Sequence, residues 1–297
     1  MRLKALEVFV ELGEAESFRQ LARAHGVKAS AISRQIEALE YHFRTELFDR
    51  NAEGITLTES GRLLLGYART ILANVREARA ATDELRGLER GNVTIYAAGA
   101  PAAGILARVV ADLHIQYPGL LFHIETASAS NVFDAVESGK ADLGLTMFSP
   151  ETSKVEIRLS SYVEHKIIVA PGHPLAGEER VSLRQLASVP LVLAGASHGS
   201  RMRLNQMARE AHVLLEPVFE SSSVEVHKEL ALRKVAALVL PVMCCQREIE
   251  TGQLIALPFE ERDAMITTVD LCCARGRRLS FAARKLSAAI GHALEGA

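Results

Sequence analysis

Ser17-Phe18-Arg19-Gln20-Leu21-Ala22-Arg23-Ala24-His25-Gly26-Val27-Lys28-Ala29-Ser30-Ala31-Ile32-Ser33-Arg34-Gln35-Ile36 is the stretch that decides how this chain is read. Ser17, followed three residues later by Gln20, forms a capping box, in which each side chain satisfies a backbone donor at a helix start. Phe18, Leu21 and Ala22 then fall on one face, with Arg19 and Arg23 on the other. Gly26 can take the left-handed conformation of a tight turn and ends the segment. Ala31, Ile32, Ile36 and Leu39 mark a further helix. Upstream, Leu3, Leu6, Phe9, Val10 and Gly13 mark an amphipathic helix that precedes both. Helix, short glycine-containing turn and helix make the helix-turn-helix layout.

Charge agrees. Between Ser17 and Ile36 stand Arg19, Arg23, Lys28 and Arg34 and no acidic residue, whereas the whole 297-residue chain has 34 basic and 36 acidic residues and a formal net charge of -2. Positive charge gathered locally on a neutral protein has phosphates as its natural partner.

Ser17-Phe18, Leu21-Ala22, Val27, Ala31-Ile32-Ser33-Arg34-Gln35-Ile36, Leu39-Glu40, Leu47-Phe48-Asp49-Arg50 and Leu57-Thr58-Glu59-Ser60-Gly61 together resemble the N-terminal domain of LysR-type transcriptional regulators, without a gap over about sixty residues. The resemblance implies that the third helix enters the major groove of double-stranded promoter DNA. It also implies a wing hairpin between Arg50 and Leu57, with Asn51 to Gly54 as its turn. By position, Ser30, Ser33 and Arg34 meet DNA, and Arg50 meets a phosphate or the minor groove, while Lys28 adds attraction for a phosphate. Arg34 suits a guanine edge or a phosphate, because its fork matches either. Two positions depart from the pattern. Lys28 and Ala29 stand where members have Ser then Gln, so neither the cap nor the bidentate base contact is inherited.

Thr58 is placed to cap a long helix, with Glu59 in its first turn. Leu64, Ala68, Ile71, Val75, Ala78, Thr82 and Leu85 recur at alternating spacings of four and three. That is an a/d seam about three heptads long, which predicts pairing with a second copy. Leu88 to Gly91 reads as the hinge that ends it.

From Asn92 strands alternate with helices. Strands are expected at Val93–Ala97, Leu120–Thr126, Leu143–Met147, near 190–194, 215–219 and 236–240, and at 266–274. Helices are expected at Pro101–Tyr117, Asn131–Ser138, near 199–212 and 223–233, and from Ser280. Such alternation implies a mainly parallel sheet covered on both faces. Asp134 with Gly139-Lys140-Ala141-Asp142-Leu143-Gly144-Leu145, and His173-Pro174-Leu175-Ala176 with Val181-Ser182-Leu183, resemble the effector domain of the same family. That domain is similar to a periplasmic binding protein, with two α/β lobes joined by two crossing strands. The layout expected is therefore a winged helix-turn-helix domain at 1–58, a linker and dimerisation helix at 59–90, and an effector domain at 91–297. Within the last, lobe I is 91–161 with 266–297, and lobe II is 162–265.

A ligand in such a fold sits between the lobes, at helix starts and strand ends. Ala100, Ser128, Ser130, Thr146, His198, Ser200, Arg201 and Ser223 are the cleft candidates, and they favour a small anionic effector. Leu232 to Ala237 replaces the glycine-rich stretch that members of the resembled family have before the strand that ends at Pro241, so the effector's identity is not carried over. The four cysteines, Cys244-Cys245 and Cys272-Cys273, read as buried thiols, with a redox-sensing pair as the alternative. They lack metal-ligand spacing, and no cofactor is expected.

There is no Gly-x-Ser-x-Gly elbow, phosphate loop or Gly-x-Gly-x-x-Gly, and His165, His173 and His198 have no evident acid or nucleophile partner, so an enzyme is not expected. No apolar run approaches the ~18–20 residues of a membrane span. The expected protein is a cytoplasmic homodimer or homotetramer without a membrane partner, and RNA polymerase is a further candidate partner.

Overall fold

The computed structural model describes all residues except 1, 14, 16, 52–53, 86–88, 148–154, 262–264 and 296–297. The chain divides into two compact units, the first built on Met1–Leu88, the second on Glu89–Glu137 and Ala141–Ala297.

The first unit opens with α1 (Leu3–Leu12), α2 (Phe18–Ala24) and α3 (Ala29–Phe43). Ser17 caps α2 as its sequence requires, with Gln20 N–H donating to Ser17 Oγ at 3.1 Å. Gly26 sits at φ +63°, the left-handed turn between α2 and α3. Leu6, Phe9, Leu12, Leu21, Ile32, Ile36 and Leu39 bury one shared core. The antiparallel hairpin β1 (Phe48–Asn51) and β2 (Gly54–Leu57) follows, with Arg50 opposite Ile55 and Asn51 opposite Gly54. Phe48 packs edge-on against Phe9 at 5.6 Å and so ties the hairpin to the core.

α4 (Glu59–Leu85) comes next, 27 residues and so about 40 Å long. Thr58 caps it, accepting from Gly61 N–H at 2.9 Å while donating to Glu46 O at 2.8 Å. A Cβ on Gly61 would stand 2.1 Å from Leu47 O, so only glycine lets this helix start lie against the chain just before β1. The predicted seam is corrected here. Leu64 and Ala68 are buried in the core that α1, α2 and α3 form, together with Leu72, and cannot face a partner. The four-three spacing is real, but its first two turns serve the chain's own domain. Ile71 is half-buried against the same core, Val75 is half-buried and Ala78 is exposed. The Leu85 side chain and Leu88 lie outside the described residues.

The second unit is α/β. β3 (Gly91–Ala97) leads to α5 (Gly99–Pro101), a π-helical turn (Ala102–Leu106) and α6 (Ala107–Gln116). β4 (Leu120–Thr126), α7 (Ala129–Glu137), β5 (Leu143–Met147) and the long β6 (Val155–Val169) follow. Then come α8 (Leu183–Leu186), β7 (Leu191–Leu193), α9 (Gly199–Glu210), β8 (Phe219–Glu220), α10 (Val224–Leu232) and β9 (Ala237–Pro241). A 3-10 turn (Val242–Cys245) precedes α11 (Gln246–Glu250), β10 (Ile255–Leu257), β11 (Ile266–Ala274) and α12 (Phe281–Glu295).

The strand order is β4-β3-β5-β11-β6-β9-β7-β8, with β10 also paired to β6. β3 is parallel to β4 and β5, and β7 is parallel to β8 and β9. β6 and β11 run antiparallel between these two parallel groups. β6 spends its first part on β11 and its last part on β9 and β10, so it belongs to both lobes. Two separate apolar cores follow from this. One gathers Val93, Ile95, Leu106, Leu145, Leu271 and Leu286, the other Ile167, Leu183, Leu191, Leu204, Val239 and Phe259. Among the described residues, no helix is long and apolar enough to cross a membrane.

Candidate nucleic-acid interface and effector cleft

α3 presents its outer face to solvent. Lys28, Ser30 and Arg34 are exposed, while Ser33 is half-buried and donates to Glu37 Oε1 at 2.9 Å. Ile32, Ile36 and Leu39 fix the inner face, so the outer side chains stand on a rigid rod rather than a loop. Ala29 packs against that core as the first helical residue. The N-cap Lys28 makes no side-chain cap, as expected of an ammonium group that can only donate. Arg19 and Arg23 are exposed on α2. Arg50 lies on β1 in the hairpin, and its side chain is outside the described residues. A helix of groove-filling diameter, a two-strand wing and a local excess of cations make a surface able to hold duplex DNA.

Ser128, His198 and Ser223 each come after the carboxyl end of a parallel strand, β4, β7 and β8. Ser128 follows β4 and accepts from Asn131 N–H at 3.4 Å, and its hydroxyl lies 3.1 Å from Ser130 Oγ. His198 precedes α9 with its Nδ1 2.9 Å from Ser200 Oγ. Ser223 caps α10, accepting from Val226 N–H at 3.4 Å. Ser128, Ser130, His198 and Ser223 are exposed. The two lobes meet at α5. A Cβ on Gly99 would lie 3.8 Å from Ser222 O and 3.9 Å from Val224 Cγ2, and Ala100 O accepts the Cys244 thiol at 3.5 Å. Ala100 and Met243 pack against the cores of both lobes.

Two cleft assignments are corrected. Arg201 is buried, and its guanidinium is taken up inside lobe II. Nε donates to Asn205 Oδ1 at 2.8 Å, and the two terminal nitrogens donate to Ala194 O at 3.4 Å and Leu215 O at 3.3 Å. It joins the start of α9 to the chain around it and offers no free fork to a ligand. Thr146 is fully buried in β5, opposite Asp270 of β11, so the strand crossing covers it.

Burial makes further groups conspicuous, of which the sequence singled out neither His227 nor Asp270. His227 on α10 is buried, and its Nε2 lies 2.8 Å from Ser221 O. His165 on β6, opposite Pro241 of β9, is pushed down to about 4 by desolvation. His173, His198 and His227 are also lowered by desolvation, so all four are neutral imidazoles at neutral pH. Asp270, the one acid in the run Ile266–Ala274, is buried and accepts from Ser160 and Thr268 hydroxyls at 2.5 and 3.1 Å. A lone acid inside an apolar strand was the available signal for it.

The cysteines are buried thiols. Desolvation pushes Cys245 and Cys272 up to about 12 and raises Cys244 and Cys273 as well. Cys272 and Cys273 belong to different cores, on opposite faces of β11, so these neighbours cannot bridge to each other. Among the described residues, no group of three or more His, Cys, Asp or Glu could hold a metal ion.

Comparison with known proteins agrees with this architecture at both ends of the chain. Residues 3–62 match the bacterial regulatory helix-turn-helix protein model of the lysR family, and residues 86–295 match the LysR substrate binding domain. The chain belongs to the LysR family of transcriptional regulators. It is 26% identical over 286 residues to the RuBisCO operon transcriptional regulator of Allochromatium vinosum, covering 95% of this chain and 92% of that one. It is 27% identical to a probable hydrogen peroxide-inducible genes activator of Mycobacterium avium, covering 96% and 88%. Full-length OxyR from Pseudomonas aeruginosa shares the LysR fold with a TM-score of 0.71 at 18% identity, covering 99% of this chain and 95% of that one. This LysR-family chain is thus a transcription regulator with a helix-turn-helix and a two-lobed effector-binding domain, in a family of regulators rather than enzymes.

Proposed function

We propose that the protein works as a homodimer, or a pair of dimers, whose two α3 helices read promoter DNA, and that a small anionic effector held between the lobes biases that reading. The observation that carries the DNA half is the outer face of α3, where Lys28, Ser30 and Arg34 project from a helix pinned by Ile32, Ile36 and Leu39. Arg34 and Lys28 supply phosphate attraction and, for Arg34, a bidentate fork for a guanine. Arg50 on the wing supplies a further cation. This assigns the protein to the cytoplasm, where promoter DNA and RNA polymerase are.

The dimer rests on α4, with its seam turned by one residue from the expected one. Leu63 and Tyr67 are 67% and 64% exposed and stand one turn apart. At four-three spacing the stripe continues through Thr70, then the exposed Asn74, then Glu77, with Val75 and Ala78 beside it. Two large apolar side chains on one solvent face of a 40 Å helix favour a second copy as cover. A single asparagine in such a seam fixes register at some cost in stability, as Asn74 would here. Pairing also raises DNA affinity through effective concentration. Ile115 and Leu121, exposed on α6 and on the edge strand β4, offer a second apolar patch for the tetramer.

The effector half rests on three helix starts, those of α7, α9 and α10, each carrying serine hydroxyls beside backbone N–H groups that point out of the helix. With Arg201 engaged and His198 neutral, an anion there is held by hydroxyls and N–H groups rather than by an ion pair. Ligand can shift the regulator only by its preference for one lobe arrangement. The test is a thermal-shift panel of small carboxylates and phosphates on the full chain. A hit should stabilise the wild type and lose most of its effect in Ser130→Ala and Ser200→Ala, which remove hydroxyls that are not caps. A panel without a hit, or a hit indifferent to both substitutions, contradicts the assignment.

A further inference from the structure

We propose that the hollow between α1 and α3 seats a backbone phosphate of the same DNA duplex, beside the groove that α3 enters, a proposal that rests on the reading of α3 above. A cavity of about 470 Å³ opens there, lined by Arg2, Lys4, Arg34, Gln35, Tyr41 and His42 around a floor of Ala5, Ala38 and Leu39. Four of its nine lining residues are basic or imidazole and none is acidic, in a chain whose formal charge is -2.

The hollow has a local cause. Ala38, Tyr41 and His42 follow Arg34 at helical spacings of four, seven and eight, so all four share one stripe of α3. Ala38 is the small residue in that stripe, and the space above it is the cavity. Ser30 stands one turn before Arg34 on the same stripe, so the groove-facing surface runs directly into the hollow. A strand climbing out of the major groove past Arg34 meets it next.

The walls suit a phosphodiester and its sugar. The rim offers the guanidinium groups of Arg2 and Arg34, the Lys4 ammonium and the hydroxyl of Tyr41, which is 87% exposed. The floor is apolar, as a deoxyribose face requires. Gln35 Oε1 is buried and, among the described residues, has no hydrogen-bond partner. A carboxamide can present either end, and with its nitrogen turned there it becomes a donor to a phosphate oxygen. The carboxylates nearest in sequence are accounted for, Glu40 among them, which accepts from Leu47 N–H at 2.8 Å. Glu7 pairs with Lys4 at 3.3 Å on the exposed side of α1, an ion pair of the kind that yields readily to a better anion, and Glu37 accepts the Ser33 hydroxyl.

The experiment compares the full-length wild type with an Arg2→Ala/Lys4→Ala double variant. Both are titrated against intergenic DNA from beside the gene and a scrambled duplex of equal length, over a salt series. A phosphate seat predicts equal weakening on both duplexes and an unchanged ratio between them. It also predicts a salt slope shallower by about 0.9 for each phosphate the protein no longer neutralises. Because both side chains are exposed, the melting temperature should not move, and Ala38→Glu should weaken binding further by putting a carboxylate in the hollow. Unchanged affinity and slope in a folded double variant would overturn the proposal, as would weakening confined to the intergenic duplex. Stabilisation of the wild type by inorganic phosphate that the double variant loses, with its DNA binding untouched, would assign the hollow to a free anion and overturn it too. Wild-type binding that ignores both salt and sequence would sink the reading of α3 itself.

Discussion

Arg201→Ala separates a structural arginine from a ligand-binding one. In the folded chain the guanidinium serves three acceptors, Asn205 Oδ1, Ala194 O and Leu215 O, at 2.8, 3.4 and 3.3 Å. Truncation leaves all three without that donor. Asn205 can turn toward water, but the Leu215 carbonyl belongs to a residue only 4% exposed. An orphaned buried acceptor costs about 1–3 kcal/mol, so the loss should be about 2–5 kcal/mol once the packing of the side-chain stem is included. For a unit of this size that is a fall of roughly 5–15 °C in melting temperature. The effector unit should be followed by its own transition, since a two-unit chain need not melt in one step. Arg201→Lys should recover less than half of the loss, because one ammonium cannot reach three acceptors spread around a planar fork. An Arg201→Ala protein that melts with the wild type, yet no longer responds to an effector, would refute the reasoning and return Arg201 to the cleft.

Other outcomes rest on burial elsewhere in the chain. His165 titrates near 4 in the folded chain, against an ordinary value near 6.5. The unfolded chain therefore takes up this proton first as the pH falls. The stability present at neutral pH should be lost progressively between about pH 6.5 and 4, by up to about 3 kcal/mol, and His165→Phe should flatten that limb of a urea-melt pH series. The thiols of Cys244, Cys245, Cys272 and Cys273 should resist alkylation at about pH 8 in the native protein and react once it is unfolded, because burial keeps them protonated. Rapid labelling of any of them in the folded chain would reopen a redox role. Leu63→Glu with Tyr67→Glu should halve the particle mass in solution without lowering the melting temperature, whereas Leu64→Ala should leave the mass alone and cost about 2–5 kcal/mol. Mass photometry and a thermal melt decide between the two.

The helix-turn-helix could be read so early because its signals are local. Ser17, Gln20 and Gly26 act within a few residues of themselves, and the structure shows Ser17 capping α2 and Gly26 at positive φ. Thr58 was legible as a cap for the same reason. β11 was placed from Ile266 to Ala274, and the strand there is buried on both faces, as a central strand demands. What stayed hidden depends on the partner across the fold. Spacing alone cannot say whether Leu64 meets another chain or the helices before it, and here it meets the chain's own core. An arginine two residues into a helix looks like an anion ligand until the carbonyls of Ala194 and Leu215 are seen around it. β6 was missed as a strand of its own because it changes sheet partners midway, which breaks any simple alternation of buried and exposed residues. The hollow beside Arg34 was invisible because Arg2 and Lys4 come to it from the other end of the domain's sequence, at the start of α1.

The central claim is that α3 reads DNA through Arg34. Its most direct test is fluorescence anisotropy of the full-length protein on intergenic DNA from beside the gene, with scrambled DNA as competitor, for wild type and Arg34→Ala. Arg34 is exposed, so its removal should leave the fold intact. Taking away a bidentate base pairing costs about 1–3 kcal/mol in each head, or roughly 5- to 150-fold per half-site, with preference for the intergenic duplex reduced accordingly. Wild-type binding should also weaken steeply as salt rises. Equal, salt-insensitive binding by the two proteins would contradict the account.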